Sequence, residues 1–198
     1  VRELVGLNGW FAAAFAILIL QRGAELAIAR RHARWIRRQG GYEVGRKHYP
    51  LLVGVHLFFL VGLALEVAVF KAVPPSWWPA PFALFLAAQG LRVWCIRSLG
   101  PYWNTRVMVA PGHRPVVRGP YRYLRHPNYV VVVTELLTLP LVFGAFVSAA
   151  VFTVLNLWIL LKVRIPAEER VLTQVTPYRE EMENRGRFLP RWMKTNEN

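Results

Sequence analysis

Gly119-Pro120-Tyr121-Arg122-Tyr123-Leu124-Arg125-His126-Pro127-Asn128-Tyr129 stands directly before an apolar run, and that run ends in Arg164-Ile165-Pro166-Ala167-Glu168-Glu169. Cations, aromatic rings and an imidazole thus face a carboxylate pair across a long hydrophobic stretch. Val130 to Val163 is about 34 residues, too long for one bilayer crossing of ~20 and suited to two short helices. The reversal falls at Phe143-Gly144-Ala145. A helical hairpin returns both feet to the same membrane side. Arg125, His126 and Tyr129 are therefore expected to meet Arg164, Glu168 and Glu169 in a polar pocket.

Working outward, the 198-residue chain is 55% hydrophobic with a mean hydropathy of +0.28, which does not fit an ordinary soluble domain. Leu4–Ala29, Leu51–Phe70 and Trp78–Ile96 are each long enough to span a bilayer. With the hairpin they predict an all-α polytopic membrane protein of five transmembrane helices. Residues 1–96 would hold the three N-terminal spans. Residues 97–198 would form a cytoplasmic loop, the hairpin and a C-terminal cofactor-binding segment. Gln21, Arg22 and Glu25, with no small-residue cleavage site after the first run, predict a retained helix in place of a signal peptide. Cys95 is the only cysteine, which excludes an internal disulfide and a multi-cysteine metal site, and no metal ligand set is predicted.

The net charge of +14 follows the connections between spans. Arg30, Arg31, Arg34, Arg37, Arg38, Arg46 and Lys47 come after the first span. Arg97, Arg106, Arg114, Arg118, Arg122 and Arg125 come after the third. Lys162, Arg164, Arg170, Arg179, Arg185, Arg187, Arg191 and Lys194 come at or after the end of the fifth. The alternate segments carry only Arg2 and Lys71. This is a positive-inside pattern and predicts an outer N-terminus and a cytoplasmic C-terminus, with anionic lipid headgroups as a second partner. No recognition motif accompanies the charge, so nucleic-acid binding is not expected. Trp77, Trp78, Tyr102, Trp103, Tyr121 and Tyr123 suit interfacial positions.

Pro127 suits the first turn of a helix, and it pushes His126 out of helical conformation. A helix starting there would aim backbone N–H groups at the cytoplasmic pocket and favour an anion. At 100° per residue Asn128, Val131, Thr134, Glu135 and Thr138 share one face, and Thr153, Asn156, Leu160, Arg164 and Glu168 share another. Pairing of these stripes inside the hairpin would bury Glu135 between the two helices. An ionisable residue within a span is a functional candidate by default. Pro166 should kink the fifth helix and turn Glu168 and Glu169 over the pocket mouth.

Gly-Pro-Tyr-(x)3-Arg-His-Pro-x-Tyr at Gly119–Tyr129, Arg-Ile-x-x-Glu-Glu-(x)2-Leu at Arg164–Leu172, Tyr178 and Arg187-Phe188-Leu189-Pro190 together resemble the isoprenylcysteine carboxyl methyltransferase family. The resemblance covers roughly residues 97–190. Leu99-Gly100-Pro101-Tyr102-Trp103-Asn104 and the Val-rich Tyr129–Val133 run are similar to bacterial members that O-methylate alkylpyrone or alkylresorcinol lipids. The resemblance implies S-adenosylmethionine as cofactor and methyl transfer to a carboxyl or hydroxyl oxygen. The acceptor would be lipophilic and enter from the bilayer. Cofactor contacts are expected from Gly119, Tyr121, Arg125, His126, Pro127, Tyr129, Glu168 and Glu169, and catalytic roles from Arg164, Glu135 and Glu168. The composition suggests a bacterial gene, hence the inner membrane with the site facing the cytoplasm. Two alternatives stay open. Membrane sterol reductases carry a similar Arg-His-x-x-Tyr pattern, followed by Arg-Asp-Glu where this chain has Glu168-Glu169-Arg170 and no aspartate at all. A non-catalytic lipid-binding scaffold would explain spans and charge, but not why two separate polar clusters should converge. The acceptor's identity and the oligomeric state are not readable from the sequence.

Overall fold

The computed structural model describes residues 2–191, and side chains from residue 9 onward. Lys194 of the basic tail and the side chain of Arg2 lie outside the described residues. Among the described residues seven helices follow in order: α1 (Arg2–Arg38), α2 (Tyr49–Ala68), α3 (Pro79–Leu99), α4 (Pro127–Val142), α5 (Phe146–Ile159), α6 (Ile165–Val175) and α7 (Tyr178–Met182). Pro50, Pro79 and Pro127 sit in the first turns of α2, α3 and α4, where a missing N–H is harmless. Four stretches are long and apolar enough to cross a bilayer: Gly9–Arg38, Tyr49–Ala68, Pro79–Tyr102 and Phe146–Val175. The chain is an all-α polytopic membrane protein.

α4 is apolar but has only 16 residues. It is the inner helix of the bundle, packed against α3 and α5, with Val131, Glu135, Leu136, Thr138, Leu139 and Val142 buried. The outer helices leave Phe58, Leu84, Val147 and Val154 exposed, as lipid-facing helices do.

α4 and α5 form the hairpin, and the chain reverses at Phe143–Ala145. Gly144 takes φ +74°, and a Cβ there would run into the carbonyl oxygen of Val73. Glu66, at the end of α2, accepts from the backbone N–H groups of Val147 (3.0 Å) and Ser148 (2.7 Å). A carboxylate from a neighbouring helix thus caps the start of α5, where the helix dipole favours negative charge. Next to it Phe11, Leu18, Phe59, Leu63, Leu136 and Leu139 belong to one apolar core.

The opposite end of the bundle carries the arginines, and there the structure adds something the helical reading did not contain. β1 (Tyr42–Val44), between α1 and α2, pairs antiparallel with β2 (Val107–Val109), between α3 and α4, in the register Tyr42↔Val109, Glu43↔Met108, Val44↔Val107. Arg106 fastens this ribbon by donating to both oxygens of Glu43 at 2.8 and 3.0 Å, with its guanidinium 4.4 Å from the Tyr49 ring centroid.

Pro166, expected to kink the fifth helix, leaves it continuous: Leu160–Arg164 forms a π turn that joins α5 to α6. A proline donates no backbone hydrogen bond and crowds the turn before it, and the wider turn accommodates both effects. The predicted polar stripes also do not pair. Asn156 is fully buried with neither amide atom hydrogen-bonded, and Thr153 Oγ1 likewise has no partner among the described residues. A π turn holds about 4.4 residues, so a 3.6-residue wheel drawn from Thr153 to Glu168 falls out of phase across it.

Candidate active site

The Arg-His-Pro-x-Tyr segment enters α4 as the proline dictates. His126 lies outside helical conformation at φ −129°, ψ 55°, and Pro127 is buried in the first turn. Two residues further, the Tyr129 hydroxyl meets the far foot of the hairpin. It donates to Glu168 and accepts from Arg164 Nε at 3.0 Å. Arg164 Nη2 donates to the carbonyl of Thr105 at 2.9 Å, and Arg164 Nε lies 4.0 Å from Glu168 one turn along. The guanidinium is therefore held in plane from two sides while buried, and the π turn is the backbone that carries it.

The two carboxylates part company. Glu169 accepts from His126 Nε2 (3.0 Å) and Arg187 Nε (3.1 Å), pairs with Arg187 through its second oxygen, and lies 3.2 Å from Arg125 Nη1. The backbone around it is tied as well: Arg125 N donates to Gly186 O at 2.9 Å and His126 N to Arg187 O at 3.1 Å. Residues 186–187 thus form a strap across the start of α4. Of the N–H groups at the expected anion-binding helix start, those of Arg125 and His126 serve the strap and that of Tyr129 serves the His126 carbonyl. Glu169 is the strap's anchor, with both oxygens occupied. Glu168 keeps Oε1 unpaired among the described residues and lines the cavity.

That cavity has a volume of about 170 Å³ behind its open mouth. Tyr121, Arg125, His126, Tyr129, Arg164 and Glu168 all line it. Two buried polar atoms on lining residues, Arg125 Nε and the Tyr178 hydroxyl, have no partner among the described residues. Burial, followed by the negative charges of Glu168 and Glu169, raises the Tyr178 pKa, so the phenol remains a donor at neutral pH. Tyr121 is raised by burial and then by the Cys95 thiol beside it.

The opposite wall comes from residues that motif reading did not select. Trp103, grouped above with interfacial aromatics, is only 2% exposed and lines the cavity with Asn104. α1 holds this wall in place: His32 donates to the Trp103 carbonyl at 2.8 Å, and Asn104 Nδ2 donates to the Ala29 carbonyl at 2.9 Å. The sequence signal was present in Gly100-Pro101-Tyr102-Trp103-Asn104, but no periodicity tells a cavity wall from a membrane-surface belt.

Pro127 and Glu169 do not line the cavity, and two further predicted site residues stand elsewhere. Gly119 does not line the cavity. Its φ is +57°, and a Cβ would run into Ser98 Oγ, so the glycine serves close packing on α3. Glu135 is buried as expected, but it faces α3 and α1 in place of α5. It pairs with Arg92 and Arg22 and accepts from Gln89 Nε2 at 3.3 Å. Both oxygens are engaged and it does not line the cavity.

A family model described as "Isoprenylcysteine carboxyl methyltransferase (ICMT) family" matches residues 81–174, from α3 through the glutamate pair. The uncharacterized protein YpbQ of Bacillus subtilis (strain 168) is 43% identical over 159 residues, covering 80% of this chain and 94% of that protein. The chain belongs to the ICMT family. An uncharacterized Haemophilus influenzae protein is 26% identical over 164 residues, covering 82% of this chain and 95% of its own length. ICMT-family membership makes the chain an integral membrane methyltransferase, and enzymes of this family use S-adenosylmethionine. The matched region contains the Arg125–Tyr129 segment, the hairpin and the Arg164–Glu169 foot.

Proposed function

We propose that this ICMT-family protein transfers the methyl group of S-adenosylmethionine to a carboxyl or hydroxyl oxygen of a lipophilic acceptor that enters from the bilayer. The observation carrying this reading is the convergence of Tyr129, Arg164 and Glu168 on a cavity whose lining residues also carry two buried, unpartnered donors, Arg125 Nε and the Tyr178 hydroxyl. The donor set fits the cofactor: the two donors suit its carboxylate, and Glu168 suits its ammonium or ribose hydroxyls. Trp103, Leu172 and Met182 offer apolar surface for adenine. Bound S-adenosylmethionine supplies an electrophilic methyl group on a sulfonium sulfur.

The chain's own residues supply binding and orientation. Arg164, fixed by Tyr129 and the Thr105 carbonyl, directs its remaining donors at the acceptor oxygen. Positioning of this kind is worth on the order of 7–11 kcal/mol in favourable cases. A carboxylic or enolic acceptor arrives ionised and gives up no proton at the site. Glu135 is withdrawn as a base because Arg92 and Arg22 occupy it. Residues 97–198 form the cofactor-binding region in this reading. The positive-inside pattern puts the cavity on the cytoplasmic side of a bacterial inner membrane, with five spans.

Thermal stabilisation by S-adenosylhomocysteine, compared with NADPH, tests the cofactor. Labelled methyl transfer into the host's lipid extract, read by mass spectrometry, tests the acceptor. Stabilisation by NADPH alone would establish the reductase alternative, and stabilisation by neither would return the scaffold. Reporter fusions at Arg38 and Ser76 test orientation, with a cytoplasmic signal expected only at Arg38.

A further inference from the structure

We propose that Arg22 and Glu25 of α1 are positioning residues for this active site, acting through a bilayer-embedded charge network that fixes where α1 holds the cavity wall. The functional part of this inference rests on the methyltransferase reading above. Arg22 Nη1 donates to Glu25 Oε2 at 2.7 Å, and Arg92 Nη1 of α3 donates to the same oxygen at 2.9 Å. Glu135 of α4 pairs with both guanidinium groups. Gln21 bridges Glu25 Oε1 (2.9 Å) and Gln89 Oε1 (2.7 Å). Two cations and two anions from three helices thus close a neutral ring.

The ring lies at one level of the bundle. Glu135 is eight residues into α4, Arg92 seven residues before the end of α3 and Glu25 seven residues before His32, each roughly 10–12 Å along its helix at ~1.5 Å per residue. The Arg92 and Glu135 side chains are 4% and 6% exposed. Ionisable groups at such depth are expensive, and apolar side chains of similar volume hold helices together at least as well. Adhesion alone therefore does not account for the ring. Directional bonds supply an axial register: sliding α1 by one turn, about 5.4 Å, would break the three that leave it, Arg22–Glu135, Arg92–Glu25 and Gln21–Gln89.

Register matters because of what α1 does further along. Its backbone stands off from α3 and α4, but approaches the Gly100–Tyr102 turn and β2. There His32 and the Ala29 carbonyl hold Trp103 and Asn104, and Trp103 Nε1 reaches Asn128 Oδ1 at 3.4 Å. The ring sets the height of α1, and α1 sets the wall. Arg22 and Glu25 lie outside the family-matched residues 81–174 and touch no cavity atom.

The double variant Arg22→Gln/Glu25→Gln removes one charge of each sign and leaves the Arg92–Glu135 pair intact. In the full chain in lipid nanodiscs it should accelerate backbone hydrogen exchange at residues 102–106 by roughly tenfold or more. S-adenosylhomocysteine should bind it roughly five- to tenfold more weakly. Glu25→Gln alone leaves two guanidinium groups on one carboxylate and should lower thermal stability more than the double variant does. Unchanged exchange at 102–106 in a folded double variant would overturn the proposal, as would a stability loss with normal exchange and affinity. Should the double variant not accumulate, His32→Ala cuts the same linkage at its other end and leaves the ring whole. It should raise exchange at 102–106, and failure to do so would show that α1 does not hold the wall. The exchange readout needs no cofactor. A wild-type protein that ignores S-adenosylhomocysteine would sink the methyltransferase reading while exchange still decides the positioning role.

Discussion

Glu169→Gln separates an anchor from a ligand. The wild-type carboxylate gathers His126, Arg187 and Arg125 around one point. Glutamine keeps the shape and one acceptor oxygen but removes the charge. Charge-assisted hydrogen bonds contribute ~1.5–3 kcal/mol each, but the Arg187 guanidinium is 42% exposed and counts at the ~0.2–1 kcal/mol of a surface pair. The 3%-exposed His126 side chain dominates, and the summed loss is about 2–4 kcal/mol of local stability. At 1.4 kcal/mol per tenfold, the Arg125 and His126 amide hydrogens bound to the 186–187 strap should exchange roughly one and a half to three decades faster. Exchange mass spectrometry on peptides spanning 122–130 reads this directly. Glu168→Gln is the counterpart. It should leave strap exchange alone and weaken S-adenosylhomocysteine binding by roughly tenfold or more. If Glu169→Gln weakens that binding while the strap stays protected, Glu169 is itself a ligand and the division of labour between the two carboxylates is wrong.

Arg164→Lys keeps the charge but cannot bridge the Tyr129 hydroxyl and the Thr105 carbonyl at once; turnover should fall at least tenfold with S-adenosylhomocysteine affinity within about twofold of wild type, as checked by kinetics and calorimetry. Gly119→Ala should cost more than ~2 kcal/mol in thermal stability, from the φ +57° backbone and the collision with Ser98, while cofactor affinity of the folded fraction is retained. Glu66→Gln removes the negative charge capping α5 and should lower the melting temperature by roughly 2–4 °C for about 1 kcal/mol, with turnover per folded molecule unchanged.

The membrane architecture was legible because apolar runs and alternating charge report a solvent boundary that every span must obey. The meeting of Tyr129 with Arg164 and Glu168 was legible too, since a hairpin of two similar legs leaves little choice about which feet meet. What escaped depends on direction within the fold. Adjacent glutamates at 168 and 169 look equivalent on paper, yet a single residue step along α6 sends them about 100° apart, one to the cavity and one to the strap. Glu135 was recognised as costly, but its partners Arg22 and Arg92 sit 113 and 43 residues away, and no local pattern names a partner at that range. The β1–β2 ribbon consists of three-residue strands, too short to carry a readable alternation. Gly119 was read with its motif, when the space it leaves beside Ser98 is its contribution.

The wide turn at Leu160–Arg164 also bears on how this chain can change length. A π turn holds one residue more than the α-helical turn it replaces, so the surplus can be deleted with the flanking helices keeping their relative orientation. Here that repair is blocked, because a healed helix would carry Pro166 in its interior, against the carbonyl four residues earlier. Extra residue and proline are therefore coupled: loss of the extra residue alone is harmful, and loss of both is tolerable. Among relatives, a one-residue gap across 160–164 should coincide with a residue other than proline at 166. In the laboratory, deletion of Leu161 should yield a folded protein only when paired with Pro166→Ala.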